Sequence, residues 1–365
     1  MTAPIAFYIT AHGFGHGVRS SDIIRAYKRQ HPEHPVHIVS GLPAAFFQAR
    51  LGHVLSPFDT IRNASFDVGM VQKDAIRTDV EATLAATLDL CHRAEELVLG
   101  EQDYLCRNGI RAVVADIPGI PLAAAKRAGI SAIAIGNFSW DWIYAEFAAR
   151  DPRWQPVIEH FQGCYRQADL LLRLPFPCDT GAFLRIEDVP LLAEPGRSRR
   201  AELARDFGAS LEKRWVLLSF TSLHWEPGAL RKLQALQDYE FFVVRPFDWP
   251  DTGLHAVEPA RYSFSDVVAS VDVVVSKPGF GIVSDCIANG KPLIYADRTD
   301  FAEYEVLVDA IRRYLRNRHI PSSDLYAGDL RLALEHALTA PEPAERLGRG
   351  GAGLAARRIY ELASA

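Results

Sequence analysis

The sequence has 365 residues, 48% of them hydrophobic and 23% charged, values that argue against a disordered, fibrous or membrane-embedded chain. This length exceeds what one hydrophobic core serves, so it predicts two domains. The formal net charge of -5 excludes the overall positive field that nucleic-acid binding needs, and no nucleic-acid partner is expected.

Cysteine spacing and the start of the chain bear on metal sites and location. The cysteines form no C-x-x-C pair, so they predict neither a metal site nor a disulfide framework. The opening MTAPIAFYITAHGFGHG lacks a basic segment before its short apolar run, and no run is long enough to cross a bilayer. The sequence therefore predicts a cytoplasmic protein without an integral membrane segment. A peripheral membrane contact stays open through Arg312, Arg313, Arg316 and Arg318.

Apolar runs alternate with helical periodicity in the first half of the chain. The predicted strands are residues 5–11, 36–41, 111–117 and 131–138, and the predicted helices are 19–29, 79–99 and 121–127. This alternation is typical of a parallel sheet covered by helices. Residues 178–198 contain Pro190, Pro195 and Gly196 without periodicity, and they are the predicted linker.

A second strand–helix series follows the linker. Its predicted strands are residues 214–220, 240–244, 272–277 and 292–297. The sequence therefore predicts an α/β protein with two Rossmann-like domains, residues 1–185 and 186–343, whose parallel sheets face a central cleft. A last helix within residues 344–365 is expected to pack back toward the first domain.

The segment HGFGHGVRSSD, residues 12–22, lies where the first predicted strand passes into a helix. Its glycines let a ligand approach the backbone, and a helix start offers free N–H groups to an anion. His16 follows the carboxyl end of a strand, where an imidazole can remove a proton from a ligand. Asp116, at the end of a later strand, would orient that imidazole. Either side chain could instead cap a turn.

Aromatic residues are concentrated in NFSWDWIYAEF, residues 137–147. Trp140, Trp142 and Tyr144 would present ring faces to a sugar, while Asp141 and Glu146 would bind its hydroxyl groups. The same composition also suits a helix packed in the core, because Trp and Tyr are usually well buried.

The second half repeats the strand, glycine loop and helix pattern in SKPGFGIVSDCIANGKPLI, residues 276–294. The helix N-terminus suits a diphosphate, and Asp285 could bind a ribose diol or simply favour the positive helix end. The loop over residues 296–307 adds acceptors for sugar hydroxyls, or plain surface acids, at Asp297, Asp300, Glu303 and Glu305.

Four segments resemble, in the same order, the glycosyltransferase-like N-terminal region of plant L-arabinokinases and their free-standing bacterial relatives. They are HGFGHGVRSSDIIRAY, VVADIPGIPLAAAKRAGI, NFSWDWIYAEF and SKPGFGIVSDCIANGKPLIY. The chain has no sugar-kinase ATP loop, so kinase activity is not implied. More distantly, the pattern is similar to the UDP-N-acetylglucosamine transferase that makes lipid II and to the UDP-dependent glycosyltransferases of plants.

The resemblance implies a GT-B fold with an acceptor-side first domain and a nucleotide-sugar-binding second domain. It implies a hexosyl- or pentosyltransferase that moves a sugar, expected to be UDP-linked, to an acceptor hydroxyl. Inversion without a metal or other cofactor is expected, with His16 as base and Asp116 orienting it. The resemblance and the positions of the residues after predicted strands together give the expected donor-binding residues Thr221, Ser222, Ser276, Lys277, Gly279, Phe280, Gly281, Asp285, Glu303 and Glu305. The expected acceptor-binding residues are His12, Gly13, Phe14, Gly15, Arg19, Asn137, Trp140 and Asp141.

Other functions remain open on the sequence. A nucleotide-sugar epimerase or hydrolase would use a similar cleft, and a non-catalytic sensor of sugar nucleotides would use the same binding residues. An NAD-dependent oxidoreductase is disfavoured because the first glycine loop reads G-x-G-x-G rather than G-x-G-x-x-G.

Overall fold

The computed structural model describes residues 3–71, 78–247, 249, 253–298 and 302–364. The chain divides into two compact units, Met1–Leu192 with Gly350–Ala365, and Ala193–Arg349. The first unit thus extends past the predicted boundary at residue 185. The reason is that Ile186–Asp188, inside the predicted linker, pairs with Leu171–Arg173 as a further parallel strand.

The strands of the first unit are β1 (Ile5–Ile9), β2 (Val36–Ser40), β3 (Thr60–Asn63), β4 (Ala112–Asp116), β5 (Ser131–Gly136), β6 (Leu170–Arg173) and β7 (Ile186–Asp188). They pair in the order β3-β2-β1-β4-β5-β6-β7. Its helices are α1 (Phe14–Gln30), α2 (Ala44–Leu51), α3 (Val80–His92), α4 (Ala94–Arg107), α5 (Ile120–Ala128), α6 (Trp140–Ala148) and α7 (Gln155–Tyr165). Strand order reverses between β1 and β4, the position where doubly wound sheets bind ligands.

The second unit contains the strands β8 (Arg214–Ser219), β9 (Tyr239–Val244), β10 (His255–Val257), β11 (Val273–Ser276), β12 (Leu293–Ala296) and β13 (Asn317–Ile320). Their order is β10-β9-β8-β11-β12-β13, with the same reversal between β8 and β11. Its helices are α8 (Arg200–Phe207), α9 (Ala229–Gln234), α10 (Phe264–Ser270), α11 (Phe280–Asn289), α12 (Tyr304–Tyr314), α13 (Ser322–Ala327) and α14 (Arg331–Thr339).

The C-terminal helix α15 (Gly351–Ser364) belongs to the first unit. Ala352, Ala355, Ala356 and Ile359 join the buried core formed by β1, β2 and α1. The helix begins at residue 351 rather than near 344, with the amide of Gly351 bonded to the carbonyl of Leu191 at 3.0 Å.

Two predicted helices have different limits in the structure. Helix α1 begins at Phe14 instead of residue 19, so His16 lies in its first turn and not in a preceding loop. Glycine has a low helix propensity, and this disguised the first turn in the sequence. The predicted helix over residues 79–99 is two helices, separated at Arg93.

Within the described residues, no helix has both the length and the apolar character needed to span a bilayer.

Candidate active site

The reversal in the first sheet brings the ends of β1 and β4 together. Ile9 lies opposite Asp116 in the strand register, and the chain after Ile9 leads through His12 into α1. His16, in the first turn of α1, therefore reaches the end of β4. Its Nδ1 lies 2.9 Å from Oδ1 of Asp116, and both residues are buried. The two residues predicted as catalytic are in contact.

Asp116 accepts hydrogen bonds from two further side chains of α1. Ser20 Oγ donates to its Oδ2 at 2.8 Å, and Arg19 Nε donates to the same oxygen at 2.8 Å. Residues 16, 19 and 20 share one face of α1, because positions three and four apart are neighbours on a helix. Ser20 is a contact that the sequence analysis missed. The i, i+4 spacing from His16 could have indicated it.

Charge and burial set the protonation states of the pair. Burial and the Arg19 guanidinium lower the pKa of His16 below its usual value, against an opposing effect of Asp116. Burial alone would raise the pKa of Asp116, but Arg19 and His16 outweigh it and hold that pKa well below its ordinary range. A neutral imidazole beside an ionised carboxylate is the arrangement that a general base requires.

The backbone turns sharply after Asp116. Ile117 has φ 73°, a left-handed conformation that β-branched residues rarely adopt. The residue is buried, and its carbonyl accepts a hydrogen bond from the Tyr165 hydroxyl at 3.0 Å. Such strain costs about 1–3 kcal/mol and persists only where the surroundings impose it, often at functional sites. Here it occurs directly after the predicted catalytic carboxylate.

The N-terminus of α1 leaves space for a ligand. A Cβ atom added at Gly13 or Gly15 would have no neighbour within 4 Å, so the backbone there is open. A Cβ at Gly17 would instead meet the Phe46 ring at 2.5 Å, so this glycine serves packing. Phe14 is 58% exposed beside the open backbone. These positions fit the predicted acceptor side.

Trp140 is 1% exposed, and Tyr144 stacks on it with ring centroids 5.7 Å apart. The prediction that Trp140 presents a free face to an acceptor is therefore wrong. Its Nε1 donates to Oδ2 of Asp67 at 2.9 Å, and the His12 ring packs edge-on against it at 5.2 Å. Trp140 thus contacts both His12 and Asp67 and helps to hold them in place.

Asp67 lies in the loop after β3 and was not identified from the sequence. Burial raises its pKa to about 6, although hydrogen bonds from Thr10 and Trp140 favour the ionised form. The Asp116 charge also raises that pKa, so the two carboxylates lie near one another. Because no strongly apolar strand precedes Asp67 in the sequence, its place after a strand end could not be predicted.

Asn137 and Asp141 have different surroundings. Asn137, directly after β5, accepts a hydrogen bond from Arg19 Nη1 at 2.6 Å and donates to the carbonyl of Pro175 at 2.5 Å. Asp141 is buried next to Gln162 and Tyr165 of α7, and burial raises its pKa. Asn137 therefore belongs to the group formed by His16, Arg19 and Asp116, whereas Asp141 lies on the side of α6 that faces α7.

In the second unit, α11 begins directly after the end of β11. Gly279 is its N-terminal cap residue, with no side-chain capping hydrogen bond, and a Cβ at Gly279 or Gly281 would meet nothing within 4 Å. The hydroxyl of Ser276 donates to the carbonyl of Ser219 at 2.9 Å, so it ties β11 to β8 across the strand reversal. Phe280, the first helical residue, is half-buried.

Two cations lie close to this helix start. Lys277 is exposed, yet partial desolvation and the nearby Arg298 lower its pKa. Arg298, which sequence reasoning missed, reaches the carbonyl of Pro278 at 3.4 Å, and burial lowers its pKa against the effect of Glu303. An anion would relieve the repulsion between two partly desolvated cations, because charge repulsion and burial both destabilise the charged forms.

The acids of the second unit are spread over several environments. Asp285 is half-buried on α11, and its carbonyl accepts a hydrogen bond from Asn289 at 2.8 Å. Glu303 is buried and Glu305 is exposed. Asp297 accepts hydrogen bonds from His319 at 2.6 Å and from the Ser322 amide at 3.2 Å, so it joins β12 to β13 and α13. Asp300 lies outside the described residues.

The loop after β8 carries Thr221, which is exposed, and Ser222, which is half-buried. The chain then lines a cavity of about 370 Å³ with Leu223, His224, Trp225, Glu226, Gly228, Leu230, Arg231 and Trp249. Among the described residues, no His, Cys, Asp and Glu side chains gather in threes or more as a metal site would need.

Comparison with known proteins finds one curated relative and many solved structures. No family model matches the chain. L-arabinokinase of Arabidopsis thaliana is 28% identical over 366 residues, which are 98% of this chain and 34% of the plant protein. The resemblance predicted from the four segments is confirmed. The chain spans about a third of that relative, so the relative's activity is not transferred with the match.

The solved structures match along both units. CalG4, the calicheamicin glycosyltransferase, has a TM-score of 0.60 at 13% identity, covering 100% of this chain and 95% of its own. Arabidopsis thaliana UGT89C1 complexed with UDP has a TM-score of 0.62 at 15% identity, covering 100% and 99%. The chain has the GT-B fold. The Polygonum tinctorium UDP-glucosyltransferase capable of glucosylating indoxyl agrees, with a TM-score of 0.61 at 13% identity over 100% of each chain.

Proposed function

We propose that the chain transfers a sugar from a UDP-sugar to an acceptor hydroxyl, with inversion at the anomeric carbon. The observation that carries the proposal is the buried contact of 2.9 Å between His16 and Asp116 at the strand reversal of the first sheet. Relatives of the same fold include a UDP-glucosyltransferase and a protein complexed with UDP, which supports the donor class.

The first unit supplies the base. With the proton of His16 on Nδ1 and donated to Asp116, Nε2 has a lone pair for the proton of the acceptor hydroxyl. The acceptor oxygen then forms a bond to the anomeric carbon while the bond from that carbon to the diphosphate breaks. The electron pair of the broken bond leaves with UDP, and attack from the opposite face inverts the configuration.

The second unit binds the leaving group in this proposal. The open backbone at Gly279 and Gly281 lets a diphosphate approach the N-terminus of α11. Lys277 and Arg298 add positive charge beside it, so the charge that develops on UDP is offset without an obligatory metal. Asp285, farther along α11, is assigned to the ribose hydroxyls.

The same proposal extends to partners and location. The partners are the nucleotide sugar and an acceptor whose hydroxyl reaches His16. The turnover of different UDP-sugars distinguishes a hexosyl- from a pentosyltransferase. Among the described cysteines, Cys91, Cys106, Cys164 and Cys286 form no disulfide, which supports the cytoplasm as the compartment.

A nucleotide screen tests the donor half. Thermal shift and calorimetry would compare UDP, GDP, dTDP, ADP and NAD on the wild type, Asp285→Ala and Asp309→Ala. We expect UDP to stabilise the wild type and the Asp309→Ala control, and Asp285→Ala to lose this effect. Preference for NAD over every other nucleotide would overturn the proposal.

Turnover measurements test the part of the proposal that concerns the acceptor and the base. UDP release from UDP-sugars is measured with and without an acceptor library, on the wild type, His16→Ala and the exposed-histidine control His53→Ala. Loss of the general base should lower turnover by about 10²–10⁴-fold in His16→Ala alone. UDP release that needs no acceptor would assign hydrolysis instead. Nucleotide binding without consumption of any donor would favour a sensor.

A further inference from the structure

Arg19 contacts three residues of the candidate active site through one guanidinium group. Its Nε donates to Asp116 Oδ2 at 2.8 Å, and its Nη1 donates to Asn137 Oδ1 at 2.6 Å. Its Nη2 binds Asp116 Oδ1 and lies 3.0 Å from Nδ1 of His16. All three nitrogens are engaged with protein groups, and the side chain is 13% exposed. This arrangement does not suit the acceptor-binding role expected for Arg19.

The contacts of Arg19 complete those of the Asp116 carboxylate. Oδ1 is shared by His16 and Arg19, and Oδ2 is shared by Arg19 and Ser20. An ionised carboxylate has about four lone-pair sites, so no acceptor capacity is left over. Asn137 holds the guanidinium in place, because its amide nitrogen is anchored on the Pro175 carbonyl and its oxygen therefore faces Arg19.

This pairing changes what Asp116 does to His16. A carboxylate beside a histidine stabilises the imidazolium ion, which would leave the ring charged and unable to take another proton. Here the Arg19 guanidinium balances the negative charge of Asp116, and it also disfavours a positive charge on the His16 ring directly. The charged groups that face the pair are Arg19 on α1, Asp116 on β4 and, through Asp116, Asp67 after β3.

We propose that Arg19 is a positioning residue that neutralises Asp116 and thereby keeps the His16 imidazole uncharged and ready to accept a proton. Asp116 then fixes the ring orientation and the proton on Nδ1, while Arg19 removes the charge effect that normally accompanies such a carboxylate. The consequence for the reaction rests on the proposed function, since it concerns the base that deprotonates the acceptor. The electrostatic arrangement itself does not depend on turnover.

Histidine-selective ¹⁵N NMR measures this arrangement without any substrate. The His16 signals are identified by their absence in His16→Gln, and the ring is titrated in the wild type, Arg19→Met, Ser20→Ala and Asp116→Asn. In the wild type we expect a neutral ring protonated on Nδ1, with a pKa below the ordinary value of about 6.5. In Arg19→Met the His16 pKa should rise to or above that value.

Ser20→Ala is the matched control, because it removes a hydrogen bond to the same carboxylate and leaves every charge in place. Its His16 pKa should stay close to that of the wild type. Asp116→Asn leaves Arg19 uncompensated, so the His16 pKa should fall further. An unchanged His16 pKa in folded Arg19→Met, or a shift of the same size in Ser20→Ala, would overturn the proposal.

The wild-type titration keeps the proposal testable if Arg19→Met does not fold. A wild-type His16 that titrates at or above about 6.5, or carries its proton on Nε2 when neutral, is incompatible with the proposed role. Failure of the donor and turnover screens would refute glycosyl transfer and leave this titration intact, so the two failures are distinguishable.

Discussion

The indole Nε1 of Trp140 donates a hydrogen bond of 2.9 Å to Oδ2 of Asp67. This contact connects the start of α6 with the loop after β3, and it fixes a carboxylate near Asp116. Burying a carboxylate is unfavourable, so the ionised form of Asp67 costs stability at this position near Asp116.

Asp67 gives the first prediction, a pH-dependent cost to stability. Its folded-state pKa of about 6 exceeds the unfolded value, so the native state binds the extra proton between about pH 4 and pH 6. Stability due to this group is therefore present at low pH and is lost as the pH rises through 6. By linkage the loss at pH 7 is up to about 3 kcal/mol.

Asp67→Asn should remove this loss. The unfolding midpoint of the variant, measured relative to wild type, should therefore rise by several degrees as the pH is raised from 4 to 7. Thermal unfolding across that range measures the difference. Asp151→Asn is the control, because hydrogen bonds from Arg153 lower the pKa of Asp151. This carboxylate is ionised in the folded and unfolded states above about pH 5, so the difference between Asp151→Asn and wild type should stay nearly constant there. A difference between Asp67→Asn and wild type that stays constant with pH would show that Asp67 is not protonated in the native state.

The docking of α15 gives a second prediction with a built-in control. A Cβ at Gly351 would lie 2.0 Å from the carbonyl oxygen of Pro190, a backbone atom that has no side-chain freedom to move away. Gly351→Ala should therefore cost about 1–3 kcal/mol through overpacking. Hydrogen exchange should increase along α15, where Tyr360 stacks on His31 with centroids 3.8 Å apart.

Gly353→Ala tests the same helix without the clash, because the nearest atom to its Cβ would be Gln30 Nε2 at 3.8 Å. Alanine is favoured over glycine in a helix by about 1 kcal/mol, so this variant should be as stable as the wild type or more stable. Equal losses in both variants would mean that the contact with Pro190 does not limit packing at Gly351.

The sequence predicted the candidate site best where functional side chains follow the end of a strand. His16 and Asp116 could be predicted as partners because the chain after β1 and the end of β4 meet at one strand reversal, whatever the side chains between them. Trp140 could not be assigned, since a helix rich in aromatic residues does not reveal which ring faces the core. Strands β3 and β13 were missed because their residues, TIRN and NRHI, lack the apolar runs that indicate buried strands.

Long-range electrostatic contacts were also beyond the sequence. Arg19 and Ser20 occur in a polar stretch of α1 and look like exposed residues until β4 is placed against them. Arg298 stands alone after β12, and its proximity to Lys277 depends on the order of β11 and β12 in the sheet. Sequence periodicity reports burial along one element, whereas these contacts require the neighbouring element as well.

Arg298 carries the last prediction, which concerns the donor site. If UDP binds at the start of α11, Arg298 and Lys277 both interact with the negative charge of its diphosphate. The loss of one charged hydrogen bond should then weaken UDP binding by about tenfold or more. Arg298→Met is the test and Arg318→Met, an exposed arginine on β13, is the matched control. Calorimetry at two salt concentrations should show weaker UDP binding and a smaller salt dependence in Arg298→Met alone. Equal UDP affinity in the two variants would remove Arg298 from the diphosphate site and leave the charge of the leaving group to Lys277 and the helix N-terminus.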